Sequence, residues 1–142
     1  MSDIDTEKFR LRKFIEKLDE MGEVTTVDTP VELTNLAAEI EANEKAVLFK
    51  QVGPEKLELV ANVNGSRARL AAALDVEEDK VIEEFQRRLD TPQPIVDVKQ
   101  GDAPVQKVVL EGDDADLTKL PFYIQHHFDG SAYLSSGIDY CI

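Results

Sequence analysis

The pattern of apolar residues in this chain changes near residue 94. Before this point, segments with apolar residues at helical spacing alternate with short strand-like runs. After it, strand-like runs follow one another with no helical period between them. An alternation of the first kind predicts helices packed on a sheet in one α/β layer structure. The predicted helices cover 6–21, 33–43, 67–74 and a segment carrying Val81 to Leu89, and the predicted strands cover 23–27, 46–52 and 57–63.

Residues with known local preferences mark the ends of these elements. Gly22 supplies a left-handed stop after the first helix. Ser66 is placed to cap the helix that begins at Arg67. Asp75 and Glu78 have the spacing of a capping box, which predicts that they open the fourth helix.

The part of the chain after residue 94 is predicted to be β-structure. Its strand-like runs cover 95–98, 106–110 and 132–142. The last run stops at Tyr140-Cys141-Ile142 without a closing turn.

We place a domain boundary near residues 99 to 104. This choice gives a first domain at 1–103 and a second unit at 104–142. A unit of about 40 residues is near the lower limit for folding without a disulfide or a metal. The second unit has neither a disulfide nor a plausible metal site to help it fold.

The charge balance excludes several classes of partner. The chain has 142 residues with 29 acidic and 16 basic side chains, for a formal net charge of -13. Such a negative globule repels nucleic-acid phosphates and anionic membrane surfaces.

No run approaches the roughly 18 apolar residues of a membrane span, and we expect no export signal at the N-terminus. The lone Cys141 forms no internal disulfide and is interpreted as inert, so a cytoplasmic protein is expected.

An acidic stretch at Asp113, Asp114 and Asp116 raises the question of a cation site. A helix-flanked calcium loop requires alternating oxygen ligands, a glycine at its sixth position and a glutamate at its twelfth. Leu117 and Thr118 stand where such a loop should continue. We therefore interpret the stretch as a solvated turn.

Two adjacent histidines, His126 and His127, are followed by Asp129. On a strand they would point to opposite faces and could not share one metal, although a loop would relax this restriction. A nearby carboxylate can orient a histidine for metal binding or proton transfer. Two interpretations stay open, a loop or packing role and a role in lining a site, with metal binding a distant third possibility.

The segment from Asn62 to Arg67 leads from a predicted strand into the start of a helix. Free backbone N–H groups at a helix N-terminus favour anions. A phosphate-binding loop would need more glycines or a well-placed lysine, and this segment has neither. A turn followed by a helix cap is the better interpretation.

Three stretches, in order, carry a resemblance to a known family. They are LRKFIEKLDEMGEV at 11–24; VLF at 47–49 with NVNGSRARLAAAL at 62–74; and VQKV at 105–108 with DLTKLP at 116–121 and HFDGSAYL at 127–134. The chain resembles the N-terminal part of the UbiD family, decarboxylases that use prenylated flavin mononucleotide. Ser131 after Gly130 departs from the double glycine that is frequent in the family.

The resemblance implies a fold. It implies a small N-terminal domain of helices packed on a short mixed sheet, followed by the first strands of an incomplete split β-barrel. In a full-length relative the barrel holds the flavin, a C-terminal domain supports homo-oligomers, and the loop from His127 to Tyr133 lies close in sequence to the flavin-binding segment.

The resemblance also implies an activity, the reversible and non-oxidative decarboxylation of an aromatic, heteroaromatic or α,β-unsaturated carboxylic acid. The modified flavin, with metal ions, acts there as the electron sink. The family's flavin-binding Asn, catalytic Arg and two catalytic Glu match no residue of this chain, so no catalytic, cofactor-binding or metal residue is assigned. The chain alone is expected to be inactive, without cofactor, and to have the remainder of the decarboxylase or a complementary subunit as partner. The alternative is a stand-alone, non-catalytic binding or assembly module derived from the same domain.

Overall fold

A computed structural model describes residues 10–92, 94, 95, 97 and 99–134 of the chain. Four α-helices and three strands lie within the first of these ranges. The helices are α1 (Leu11–Glu20), α2 (Leu36–Glu41), α3 (Arg67–Leu74) and α4 (Val81–Asp90), and the strands are β1 (Val24–Val27), β2 (Ala46–Val52) and β3 (Leu57–Ala61).

The three strands form one mixed sheet in the order β1-β2-β3. β1 pairs in parallel with β2, with Val24 opposite Ala46. A parallel pair needs a crossover connection, and here α2 lies in that connection. β3 returns antiparallel to β2 after a short turn, with Phe49 opposite Leu59. The prediction of helices packed on a short mixed sheet is confirmed.

Each face of the sheet buries its own apolar cluster, because successive side chains of β2 point to opposite faces. On one face, Val47, Phe49 and Val52 pack with Leu36 of α2. On the other face, Ala46 packs with Leu18 of α1 and Ala72 of α3. β2 therefore forms the centre of a helix–sheet–helix arrangement.

The ends of α1 and α3 show why some local signals succeed and another does not. Gly22 adopts a φ of 73°, and its N–H donates to the carbonyl of Asp19 at 2.8 Å, so the predicted stop is confirmed. Asp75 does not open a helix. It ends α3 in a left-handed conformation with a φ of 58°, and its carboxylate pairs with Lys17 of α1. The capping-box prediction is wrong because the contact with α1 fixes Asp75 at the end of α3.

The segment after residue 94 is built differently. Its described residues form short 3-10 turns at Gln100–Asp102, Pro104–Gln106, Gly112–Asp114 and Leu117–Lys119. Its one β contact in the described part is an isolated antiparallel bridge between Tyr123 and Tyr133. The strand expected at 106–110 is not formed, since a strand needs a neighbour to satisfy its backbone groups. The predicted barrel remains a prediction, and residues 135–142 of the last run, including Cys141, lie outside the described residues.

Candidate functional site

The turn from β3 into α3 is built around Asn62 and Gly65. Asn62 has a left-handed φ of 59°, and its amide nitrogen donates to the carbonyl of Lys45 at 3.2 Å. A Cβ added to Gly65 would lie 1.6 Å from Oδ1 of Asn62, so a larger residue would displace the Asn62 side chain. Ser66 Oγ then accepts a hydrogen bond from the N–H of Arg69 at 3.2 Å. The interpretation as a turn followed by a helix cap fits this geometry.

Arg69 is a buried cation, with 1% of its surface exposed. Its Nη1 donates to Oε2 of Glu23 at 2.7 Å, and its Nη2 donates to the carbonyl of Glu44 at 3.1 Å. These two contacts fasten α3 to the residues that precede β1 and β2. A buried guanidinium needs a paired carboxylate to offset its desolvation, and Glu23 supplies one. The group is therefore a structural clamp.

Arg69 belongs to one of the sequence motifs given above, but its burial was not predicted. The spacing of Arg69 from the apolar residues of α3 was the sequence signal that could have predicted this burial. Arg69 lies three residues before Ala72, on the face of α3 that packs on the sheet, whereas Arg67 lies off that face. Arg67 is exposed and donates from Nε to the carbonyl of Glu78 at 2.8 Å.

The turn that contains His126 and His127 is organised by a carboxylate. Asp129 Oδ2 accepts from the backbone N–H groups of Gln125 at 3.1 Å and of His126 at 2.7 Å. Both histidines are exposed, and the His127 ring meets the edge of Phe128 with ring centroids 4.8 Å apart. Asp129 thus holds the backbone of the turn, which supports the loop interpretation of this segment.

Two tyrosines join this turn to the rest of the molecule. The N–H of Tyr133 donates to the carbonyl of Tyr123 at 3.0 Å, and Tyr123 packs against the apolar cluster that contains Phe49. Burial and the neighbouring Tyr133 raise the pKa of the Tyr123 phenol. Burial and the Asp129 carboxylate likewise raise the pKa of Tyr133. Both phenols therefore stay protonated, and uncharged, at neutral pH.

The acidic stretch forms exposed turns. Asp116 Oδ1 accepts from the hydroxyl of Thr118 at 2.6 Å and from its backbone N–H at 2.9 Å, and these bonds lower the pKa of Asp116. Asp113 and Asp114 are exposed in a separate turn. Within the described ranges, no three His, Cys, Asp or Glu side chains are grouped so that they could hold a metal ion. The interpretation as a solvated turn agrees with this arrangement.

A shallow groove of about 570 Å³ lies between α1 and α3. Lys17 crosses it, donating from Nζ to the carbonyl of Ala72 at 2.6 Å and to the carboxylate of Asp75. Glu77 and Glu78 also line the groove. Carboxylates at these positions repel the phosphate of a flavin nucleotide, so this groove does not fit such a cofactor.

The fold described so far is that of an α/β domain in which helices cover both faces of a short mixed sheet. Comparison with known families agrees with this fold class and identifies the family. Residues 14–89 match the N-terminal domain of 3-octaprenyl-4-hydroxybenzoate carboxy-lyase, and residues 96–141 match its Rift-related domain. The chain belongs to the UbiD family.

Solved structures of UbiD-class enzymes have the same fold over most of this chain. The vanillic acid decarboxylase of Sedimentibacter hydroxybenzoicus (ShVdcCD), solved in open and closed forms, is 31% identical with a TM-score of 0.77 over 88% of this chain. HmfF from Pelotomaculum thermopropionicum, solved in complex with prFMN and with FMN, is 27% identical with a TM-score of 0.73 over 82% of this chain. The chain covers 27–29% of the length of these structures. In the described part of the chain, no helix has the length and apolar character needed to cross a membrane.

Proposed function

We propose that the chain is the N-terminal part of a UbiD-type decarboxylase. The complete enzyme would be a carboxy-lyase that acts reversibly, without oxidation, on an aromatic, heteroaromatic or α,β-unsaturated carboxylic acid. The observation that carries this proposal is the order of the two family matches, at 14–89 and 96–141, in a chain that covers under a third of two UbiD-class structures. Cytoplasmic location and homo-oligomerisation of the complete enzyme belong to the same proposal.

The second part of the chain supports the proposal physically. Large apolar side chains are exposed along it, among them Ile95 at 95%, Val105 at 79% and Phe128 at 95%. Apolar surface of this kind is normally covered, and further polypeptide that completes a barrel would cover it. By this proposal residues 1–103 form a complete domain and residues 104–142 begin the next one.

The cofactor belongs to the complete enzyme in this proposal. Prenylated flavin mononucleotide, with metal ions, would supply the electron sink for decarboxylation when bound there. The groove between α1 and α3 does not fit it, because this groove is shallow and Glu77 and Glu78 line it. We therefore assign no catalytic residue of the reaction to this chain, and its contribution is to support the neighbouring domain.

Cofactor binding and carbon dioxide release test the proposal. The full chain is titrated with FMN and with prenylated FMN while flavin fluorescence is followed, and it is then incubated with a panel of aromatic acids. We expect neither quenching nor carbon dioxide release from the chain alone. Adding a polypeptide with the remainder of a UbiD decarboxylase should restore both, and that polypeptide alone is the control. Activity of the chain alone, or no restoration by the mixture, would contradict the proposal.

A second candidate function, a stand-alone binding or assembly module, is favoured by the core of the first domain. Residues 10–92 bury apolar clusters on both faces of the sheet without help from another chain. Limited trypsin digestion separates the two candidates, since Lys107 and Lys119 are exposed in the second part. Rapid loss of residues beyond about 104 favours the interpretation as part of a larger enzyme. Resistance of the full chain favours the interpretation as a stand-alone module.

A further inference from the structure

Helix α4 exposes three of its four large apolar side chains to solvent. Ile82 is 69% exposed, Phe85 is 44% exposed and Leu89 is 47% exposed. Their spacing of three and four residues places them in one row along the helix, which we call the α4 stripe. In a monomeric domain such a row normally faces the core.

The orientation of α4 is fixed by its other side. Arg88 donates from Nη2 to the carbonyl of Leu74 at 2.8 Å, so that side lies against the end of α3. Glu84, which is 16% exposed, accepts from Nε of the same arginine at 2.8 Å. Helix α4 is therefore held with a charged side inward and the α4 stripe outward.

The charges around the α4 stripe are predominantly negative. All three basic side chains between residues 78 and 90 are engaged within the helix and its first turn. Lys80 pairs with Glu83 at 2.9 Å, and Arg87 and Arg88 both pair with Glu84. Glu78 and Asp79 are exposed before the start of α4, and Asp90 is exposed at its end, where it accepts a hydrogen bond from Gln86 at 3.0 Å. Carboxylates therefore lie at both ends of the stripe.

A second copy of the chain would not complement this surface. Each copy has a formal net charge of -13, and acidic edges facing each other would repel.

We infer that the α4 stripe docks a partner surface whose apolar side chains are bordered by lysine or arginine. Apolar residues of the partner would cover Ile82, Phe85 and Leu89, and its cations would meet Glu78, Asp79 and Asp90. This inference does not rest on flavin binding, because it concerns a face of the first domain alone.

Fluorescence titration with a model peptide tests the inference on the full chain. The probe is a helical leucine–lysine peptide with a single tryptophan among its leucines. The chain has no tryptophan, so the emission reports on the peptide alone. We expect a blue shift on binding, and weaker binding as NaCl is raised from about 0.05 M to about 0.5 M.

Two variants localise the binding. The double variant Ile82→Ser/Phe85→Ser should bind the peptide at least about tenfold more weakly than the parent chain. Leu11→Ser on α1, a residue that is 53% exposed, should change binding less than about twofold. Thermal unfolding of both variants should stay close to that of the parent, because the replaced side chains are exposed.

Several results would overturn the inference. They are equal binding of a leucine–glutamate peptide, equal loss in both variants, and no binding of the lysine peptide at all. Self-association of the parent chain that the double variant abolishes would also overturn it, because the occupant would then be a second copy. Sedimentation velocity over a range of concentrations measures that outcome.

Discussion

The two parts of the chain differ in how their backbones are satisfied. Residues 10–92 place β2 between two neighbours, so the ladder is complete and both faces of the sheet are covered. Residues 99–134 have apolar runs of similar length, yet their described part has one isolated bridge, between Tyr123 and Tyr133. The comparison shows that apolar residues alone do not make a domain. A strand also needs a neighbour, and the apolar run at 106–110 has none among the described residues.

One contact already links the two parts. Pro121 is buried and Tyr123 packs against the apolar cluster of the first domain, whereas residues 105–120 are exposed wherever their side chains are described. The second part is therefore attached near residues 121 to 123 and exposed before them. Substitutions matched across the two parts measure how deep this difference goes.

The largest expected difference separates two phenylalanines. Phe49 is fully buried in β2, so Phe49→Ala leaves a cavity and should lower the free energy of unfolding by about 3–5 kcal/mol. Phe128 is 95% exposed, and Phe128→Ala should change it by less than about 0.5 kcal/mol. Urea unfolding followed by circular dichroism measures both. A loss at Phe128 as large as that at Phe49 would show that the second part has a packed core of its own.

A smaller effect is expected at the clamp between α3 and the sheet. Glu23→Gln keeps one acceptor near Arg69 but leaves the buried guanidinium without its counter-charge. Because the Glu23 side chain is 30% exposed, we discount the cost to about 2 kcal/mol of unfolding free energy.

The matched control for the clamp is Glu58→Gln. Glu58 pairs with Lys50 at 2.7 Å, but both side chains are about 40% exposed, at 42% and 39%. Water screens such a pair, so the expected loss is below about 1 kcal/mol. If the two glutamine variants were equally stable, burial of Arg69 would not matter to the first domain and the clamp would be a surface contact.

Sequence predicted those elements whose signals are local. β2 was predicted at 46–52 and is found at Ala46–Val52, and Ser66 caps α3 as its position suggested. Both features depend on residues within one element or one turn. Asp75 was mispredicted because Lys17, 58 positions away in the chain, fixes it at the end of α3. The burial of Arg69 was missed because its partner Glu23 lies 46 positions away.

The candidate site was less predictable than the fold, for a physical reason. A carboxylate beside two histidines suggests an oriented imidazole, yet Asp129 bonds to backbone N–H groups of Gln125 and His126. The sequence shows which groups are near each other along the chain. It does not show which donor forms a hydrogen bond with a given acceptor. In an exposed turn the backbone N–H groups have no helix or sheet partner, so they donate to the nearby carboxylate.

A difference of about 1–2 kcal/mol is expected between two glycines. Gly65→Ala places a Cβ against the Asn62 side chain and forces its amide away from the carbonyl of Lys45, which costs a hydrogen bond. Gly130→Ala meets no atom within 4 Å and should leave the free energy of unfolding unchanged. Thermal unfolding of both variants measures the difference. Destabilisation by Gly130→Ala alone would mean that the turn at residue 130 is packed and that the first turn tolerates a side chain.

The smallest expected effect is local and lies entirely in the second part. The Thr118 hydroxyl, and then its backbone N–H, lower the pKa of Asp116, so these bonds are present above that pKa and lost as the pH falls through it. Thr118→Val removes the hydroxyl donor and keeps the shape of the side chain, so the pKa of Asp116 should rise toward its usual value near 3.8. Carboxyl carbon NMR titration measures this change.

Glu84 is the control for this titration, because Arg87 and Arg88 lower its pKa to about 2 in the first domain, and that value should not move. A shift at Glu84, or a lower melting temperature in Thr118→Val, would show that the exposed turn at residues 116–118 is coupled to the core, and the two parts would then form one cooperative unit.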